Sequence, residues 1–305
     1  MIAMPIGQKS YGETALRVPQ PWILKGLQNR IRLRRPGTHK DVNMGEIFFP
    51  GDSYHTPEGR KKFWRSLFSF SWLMIMSRRV VKASGQRAKE GNYTGDDWSR
   101  ASFESLQYLE SLGVRLHVEG MDNLDKVDGP CVFVSNHMST METVLLPVFI
   151  QPRKDVTFVV KESLMGYKWF KWVLMARQAI VIKRTNPRED FNIMMNEGMT
   201  RIEKGMSVVI FPQGTRHTYF NTADFNSIGV KLAKKAGVPV IPIALRTDAL
   251  GMGKIIKDFG SVRPELPTHF LFGDPVYIEG NEKAEHARIN DFIARHHIAW
   301  GVPFI

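Results

Sequence analysis

Residues 131–150, CVFVSNHMSTMETVLLPVFI, decide the fold. From Cys131 to Ser135 the run is apolar at nearly every position, which reads as a strand buried on both faces. It breaks into a polar turn, Asn136-His137-Met138-Ser139, and an apolar stretch of helical length resumes after Thr140. A buried strand feeding a helix through a short polar turn is the repeating unit of an α/β sheet.

The same alternation extends outward. Before it, DWSRASFESLQYLESLG (97–113) reads as an amphipathic helix with an Asp cap and a terminal Gly, and VRLHVEG (114–120) alternates as a strand. After it come strands at TFVVK (157–161), AIVIKR (179–184), SVVIFPQGT (207–215) and VPVIPIAL (238–245). Helices follow Pro187 as far as Glu203 and cover GVKLAKKAG (229–237). HFLFGDPVYI (269–278) adds extended segments, and residues 281–297 form a terminal helix. The expected fold is α/β, with a central mixed, mostly parallel sheet flanked by helices and an N-terminal helical membrane-associating region. The expected division is a membrane-associating arm with helices over 1–95 and an α/β domain over 96–305.

The chain has 305 residues and 43% hydrophobic composition, enough to bury a sizeable core. Its net charge of +12 favours an anionic partner: nucleic acid, an anionic membrane or a phosphorylated substrate. Nucleic acid is disfavoured, because no basic or aromatic recognition motif accompanies the charge. The lone cysteine, Cys131, rules out an intrachain disulfide and a cysteine metal cluster, and no metal is expected. Lying at the start of a buried strand with no histidine placed to activate it, Cys131 reads as a core residue, not a nucleophile.

Residues 1–60 are rich in Pro, Gly and basic residues and read as an extended arm with no secretory signal. From Ser66 to Ser77 the chain is uncharged and rich in Phe, Trp, Leu and Met, with Lys61, Lys62 and Arg65 before it and Arg78, Arg79 and Lys82 after. Twelve residues of helix span about 18 Å, short of the roughly 30 Å of a hydrocarbon core. Two readings stay open: a buried core helix, or an interfacial one whose basic flanks meet lipid head groups. The expected location is the cytoplasmic face of a membrane, monotopic or re-entrant rather than spanning.

The polar residues at the strand ends carry the chemistry. His137 follows one strand, and Glu142 sits five positions on, in the first turn of the next helix. A carboxylate there can hold one imidazole nitrogen and leave the other to take a proton from an alcohol. The same spacing also serves helix capping. A second strand ends in Phe211-Pro212-Gln213-Gly214-Thr215-Arg216, a turn whose backbone N–H groups and guanidinium suit a phosphate or carboxylate. A third ends in Lys183-Arg184. Each cluster alone is compatible with an ordinary solvated turn; three at the ends of strands in one sheet point to a site.

Together these blocks resemble the glycerophosphate and lysophosphatidate acyltransferase superfamily, of the 1-acylglycerol-3-phosphate acyltransferase type. The resemblance rests on Asn136-His137 with Glu142, AIVIKR ending at Arg184, FPQGTR at 211–216 and VPVIPIAL from Val238, with Lys161 as a further match. It covers about residues 115–250. It implies that His137 and Glu142 are catalytic, as base and orienting carboxylate. Asn136, Lys161, Lys183, Arg184, Gln213, Gly214, Thr215 and Arg216 are implied to bind substrate. No cofactor is implied, with acyl-CoA or acyl-carrier protein as donor, a lysophospholipid as acceptor and a membrane lipid surface as partner. The apolar stretch before residue 77 fits the membrane helix implied by the resemblance, and the aromatic run at 167–175 could add to that surface.

The sequence departs from the family pattern at Glu142, where Asp is commonest, and at Gln213, where Glu is usual. Gln178-Ala179 stands in place of Gly, and Lys183 in place of an acidic residue. The added positive character suggests an acceptor with more negative charge or another head group. Alternative readings are transfer to a glycolipid or aminolipid, and a non-catalytic lipid-binding homologue.

Overall fold

The computed structural model describes residues 49, 51–61, 72, 76–253 and 260–303. The arm before residue 49 and most of the apolar stretch at 62–75 lie outside the described residues. The strands are β1 (Tyr54–His55), β2 (Leu116–Glu119), β3 (Val132–Ser135), β4 (Val156–Lys161), β5 (Ile180–Ile182), β6 (Ser207–Ile210), β7 (Val240–Arg246) and β8 (Thr268–Phe272). The α-helices are α1 (Ser84–Lys89), α2 (Gly95–Leu112), α3 (Met141–Ile150), α4 (Phe170–Ala176), α5 (Pro187–Glu203), α6 (Ile228–Ala236) and α7 (Glu282–Ala299).

The strands form one eight-stranded sheet in the order β1-β2-β8-β7-β3-β6-β4-β5. From β7 to β5 all neighbours are parallel; β8 runs antiparallel to β7, and β1 antiparallel to β2. The sheet is thus mixed and mostly parallel. Every residue of β3 and β6 is buried, as expected of strands covered on both faces. One core layer joins Phe133, Val209 and Ile241 to residues of α2 and α3, including Leu109 and Leu145. The other joins Val132, Val134 and Val208 to α5, α6 and α7 through Met195, Leu232 and Ile293. Gly229 lets α6 lie close on β3: a Cβ there would stand 2.4 Å from Val134 Cγ2.

Several local readings shift. Helix α2 begins two residues earlier than expected, because Thr94 is its cap. The Thr94 hydroxyl accepts from Asp97 N–H at 3.2 Å while the Asp97 carboxylate accepts from Thr94 N–H at 2.9 Å, a closed capping box. Its end at Gly113 uses a left-handed φ of 100°. The arm supplies the edge strand β1. Trp72, inside the apolar stretch, is fully buried and stacks on Tyr108 at 6.3 Å. No helix among the described residues is long and apolar enough to cross a membrane.

The parallel strands end at one edge of the sheet. Asn136-His137 after β3, Phe211 to Arg216 after β6 and Thr247 after β7 therefore converge there.

Candidate active site

His137 leaves the central strand β3 and is stacked under the Phe211 ring, with centroids 4.4 Å apart and planes 20° apart. Its Nδ1 lies 2.8 Å from Glu142 Oε1, with the carboxylate fully buried and the imidazole 14% exposed. Three further kinds of donor converge on Glu142. Oε1 accepts from the backbone N–H of Met138 at 2.7 Å and of Ser139 at 2.8 Å. Oε2 accepts from the Ser139 hydroxyl at 2.9 Å and the Thr247 hydroxyl at 2.5 Å. Its place in the first turn of α3 adds the positive end of the helix dipole.

Burial by itself would push the Glu142 carboxyl up. The hydrogen bond and charge of His137, then the Thr247 and Ser139 donors, outweigh it and hold the carboxyl below its ordinary value. A carboxylate fixed this way selects the His137 tautomer with the proton on Nδ1 and leaves Nε2, which has no hydrogen bond among the described residues, as the proton acceptor. An acceptor-ready imidazole beside a locked carboxylate is equipped to deprotonate a hydroxyl.

The loop carrying His137 is tied down from all sides. The Asn136 amide donates to Leu245 O at 2.9 Å and accepts from Leu245 N–H at 2.8 Å, joining β3 to β7. The Gln213 Oε1 accepts from His137 N–H at 3.0 Å, and His137 O accepts from His217 N–H at 2.9 Å, joining β3 to the β6 turn. Asn136 and Gln213, expected to meet substrate, are therefore buried and engaged with the backbone of the site itself. The Gln213 Nε2 has no partner among the described residues.

The remaining expected residues distribute along the same edge. Gly214 turns the chain with φ 72°. Arg216 donates from Nη1 to Thr140 Oγ1 at 2.7 Å, bridging its turn to the start of α3. Thr215 Oγ1 lies 2.7 Å from His217 Nε2. Arg184 is exposed and sits in the left-handed region, φ 62°, which a β-carbon disfavours. Partial desolvation lowers its pKa, as does the charge of Arg216, while Asp190 opposes both. Lys161 is exposed at the end of β4, where it pairs in register with Ile182. Lys183 is exposed and points its Nζ to Glu189 at 3.6 Å, so its charge is already partly answered. Cys131 is fully buried, and burial pushes its thiol up to about 12, as befits a core residue.

Sequence reasoning assigned no role to Ser139, Thr247, Phe211 or His217. Thr247 carried the clearest signal, a hydroxyl just past the end of a buried strand.

Comparison with known proteins gives a consistent picture. Residues 115–246 match the sequence model of the Acyltransferase family. A 1-acyl-sn-glycerol-3-phosphate acyltransferase of Pseudomonas aeruginosa is 36% identical over 132 residues, 43% of this chain and 49% of that protein. A chloroplastic enzyme of the same name from Arabidopsis thaliana is 31% identical over 178 residues, 55% of this chain and 48% of that protein. The alpha form from Homo sapiens is 25% identical over 227 residues, 71% of this chain and 76% of that protein. The chain spans about half the length of the first two of these relatives. In fold it is similar to the 1-acyl-sn-glycerophosphate acyltransferase of Thermotoga maritima, with a TM-score of 0.60 at 18% identity, covering 77% of this chain and 96% of that one.

Proposed function

This chain carries an acyltransferase-family domain over residues 115–246, and from that premise we propose that it is an O-acyltransferase moving a fatty acyl group from an acyl thioester to a hydroxyl of a lysophospholipid such as 1-acylglycerol-3-phosphate. The observation that carries the proposal is the His137–Glu142 pair, a 2.8 Å contact whose carboxylate is buried and held by four further donors.

In this reading His137 Nε2 removes the proton from the acceptor hydroxyl as its oxygen attacks the thioester carbonyl. The tetrahedral intermediate collapses, the C–S bond breaks, and the departing thiolate takes the proton back from the imidazolium. Glu142 stays ionised throughout and stabilises the imidazolium. No covalent acyl-enzyme forms, and the mechanism assigns no step to a metal or cofactor. Asn136 and Gln213 position the base. Arg184, Arg216, Lys161, Lys183 and the Gly214-Thr215 turn face the acceptor phosphate. The mutual repulsion of Arg184 and Arg216 supports that role, since an anion between two guanidiniums relieves it.

The donor is acyl-CoA or acyl-carrier protein, and the acceptor is drawn from the cytoplasmic face of a membrane. A glycolipid or aminolipid acceptor is the second reading. Its basis is the departure at Gln213, a neutral amide where Glu is usual, whose Nε2 has no partner among the described residues. The test is transfer of labelled acyl groups from each donor to a panel of phosphorylated and neutral lysolipids, beside His137→Ala. Transfer lost in the variant supports the enzyme reading, and the acceptor used decides between the two. A wild-type protein that is folded, binds lipid and transfers to nothing would be a non-catalytic homologue.

A further inference from the structure

Two loops hold His137 and Glu142 in place. The loop after β7 gives the backbone of Leu245 to Asn136 and the hydroxyl of Thr247 to Glu142. The turn after β6 gives the Gln213 amide oxygen and the His217 N–H to the backbone of His137. Both loops are joined from behind by one short segment that no step of the mechanism uses, Trp300 to Pro303.

Helix α7 ends at this segment in a glycine turn. Gly301 takes a left-handed φ of 68°; its N–H donates to Ile298 O at 3.0 Å, and Val302 N–H donates to His297 O at 2.9 Å. These two bonds close the helix end and fold the chain back, with the Val302 side chain buried. The Pro303 carbonyl then accepts from Phe220 N–H at 3.0 Å. Phe220 is fully buried against Phe225 and His297, each ring centre 5.3 Å from its own, and follows His217 closely in the chain.

The other side of the segment holds β7. Successive side chains of a strand face opposite ways, so Arg246 points to the α7 side while Leu245 packs in the layer of α2 and α3. The Arg246 guanidinium donates from Nη1 to Trp300 O, and from Nε to Asp248 Oδ1 at 3.3 Å. The Trp300 ring stacks on His269 of β8, with centres 4.7 Å and planes 10° apart. A charged donor makes the stronger kind of hydrogen bond, and this one fixes the chain between Leu245 and Thr247.

We propose that the Trp300–Pro303 segment is a brace that sets the spacing of the β6 and β7 loops on which the His137–Glu142 pair depends, with Arg246 as its positioning residue. The proposal rests on the acyl-transfer reading only for its consequence on turnover. Its effect on the contact between His137 and Glu142 is independent of catalysis.

The experiment uses the full chain and reads the Nδ1 proton of His137 in the histidine nitrogen-15 spectrum, where the signal is identified by its loss in His137→Asn. In the wild type that proton lies between His137 and Glu142 and should give a sharp, slowly exchanging, downfield signal. Arg246→Met keeps the aliphatic stem and removes both donors. The signal should broaden, and kcat should fall by roughly 10–100-fold with little change in acceptor KM. Arg246→Lys, which can still donate to Trp300 O, should recover most of both. A second variant ends the chain at Val302 and so removes the carbonyl that Phe220 N–H reaches; it leaves Arg246 intact and should broaden the same signal from the β6 side. A His137 signal unaltered in the folded variants, or a loss of kcat that Arg246→Lys does not ease, overturns the proposal and reduces the segment to packing. If the signal broadens as expected but the wild type transfers to no acceptor, the brace stands and the enzyme reading falls.

Discussion

Glu142 separates two roles that are usually entangled, and two substitutions pull them apart. In Glu142→Ala the donors that now meet the carboxylate lose their acceptor. The hydroxyls of Ser139 and Thr247 already lie 3.1 Å apart and can satisfy one another. The backbone N–H groups of Met138 and Ser139 cannot, and both residues are almost completely buried. At about 1–3 kcal/mol for each stranded donor, the loss is roughly 2–6 kcal/mol, a large part of the 5–15 kcal/mol that holds a typical domain together. The melting temperature should fall by roughly 5–20 °C, at about 2–4 °C per kcal/mol.

Glu142→Gln keeps the shape. Its oxygen can take the two backbone donors, and its NH2 can face the two hydroxyls once these rotate to accept. The fold should survive with a melting temperature within a few degrees of wild type. What disappears is the charge that stabilises a protonated His137, so kcat should fall by about 10²–10⁴-fold with little change in acceptor KM. Thermal denaturation and steady-state thiol release check the two halves. Wild-type melting in Glu142→Ala, or wild-type kcat in Glu142→Gln, would show that the buried carboxylate neither braces the loop nor serves the base.

Further outcomes follow from single contacts. Gly229→Ala forces a methyl to within 2.4 Å of Val134 Cγ2 and should destabilise by about 1–3 kcal/mol; Val134→Ala in the same chain should restore much of the melting temperature, and no rescue would refute the contact. Arg184→Gly removes a side chain from a left-handed φ of 62° and should gain about 1 kcal/mol of stability while raising the acceptor KM several-fold; a lower melting temperature would contradict it. Burial pushes the imidazole of His297 down to about 4, so the unfolded chain takes up a proton near pH 6.5 while the folded chain does not. Stability from this group is therefore complete above pH 6.5 and drains away as pH falls to about 4, by ~3 kcal/mol; denaturant titrations of wild type and His297→Phe, into a pocket bounded by Phe220 and Trp300, should diverge across that window. Glu142 has the same sign in a lower window, losing its contribution only as pH drops below the ordinary carboxylate range, so Glu142→Gln should flatten the acid limb there and nowhere else.

What could be read from the sequence, and what could not, divides along a physical line. The strands β3, β6 and β7 are unbroken apolar runs, because a strand covered on both faces has no solvent side to mark. Their ends were therefore visible as sudden polarity, and with them His137, Glu142 and the Gly214 turn. The direction of β2 and β8 was not visible, since pairing sense leaves no trace in composition. Nor was β1, two residues long and recognisable only by what it pairs with. The same limit hid Thr247, which reaches Glu142 across 105 residues of chain. It also hid the backbone partners of Asn136 and Gln213. A polar side chain at the end of a buried strand looks the same in sequence whether it faces a ligand or another loop, and here both amides reach backbone groups of neighbouring strand ends. The consequence is chemical. With Gln213 braced against His137 N–H, its replacement of a carboxylate acts first on the placement of the base and only second on the charge seen by the acceptor. Gln213→Glu should then change kcat more than it changes the preference among acceptor head groups.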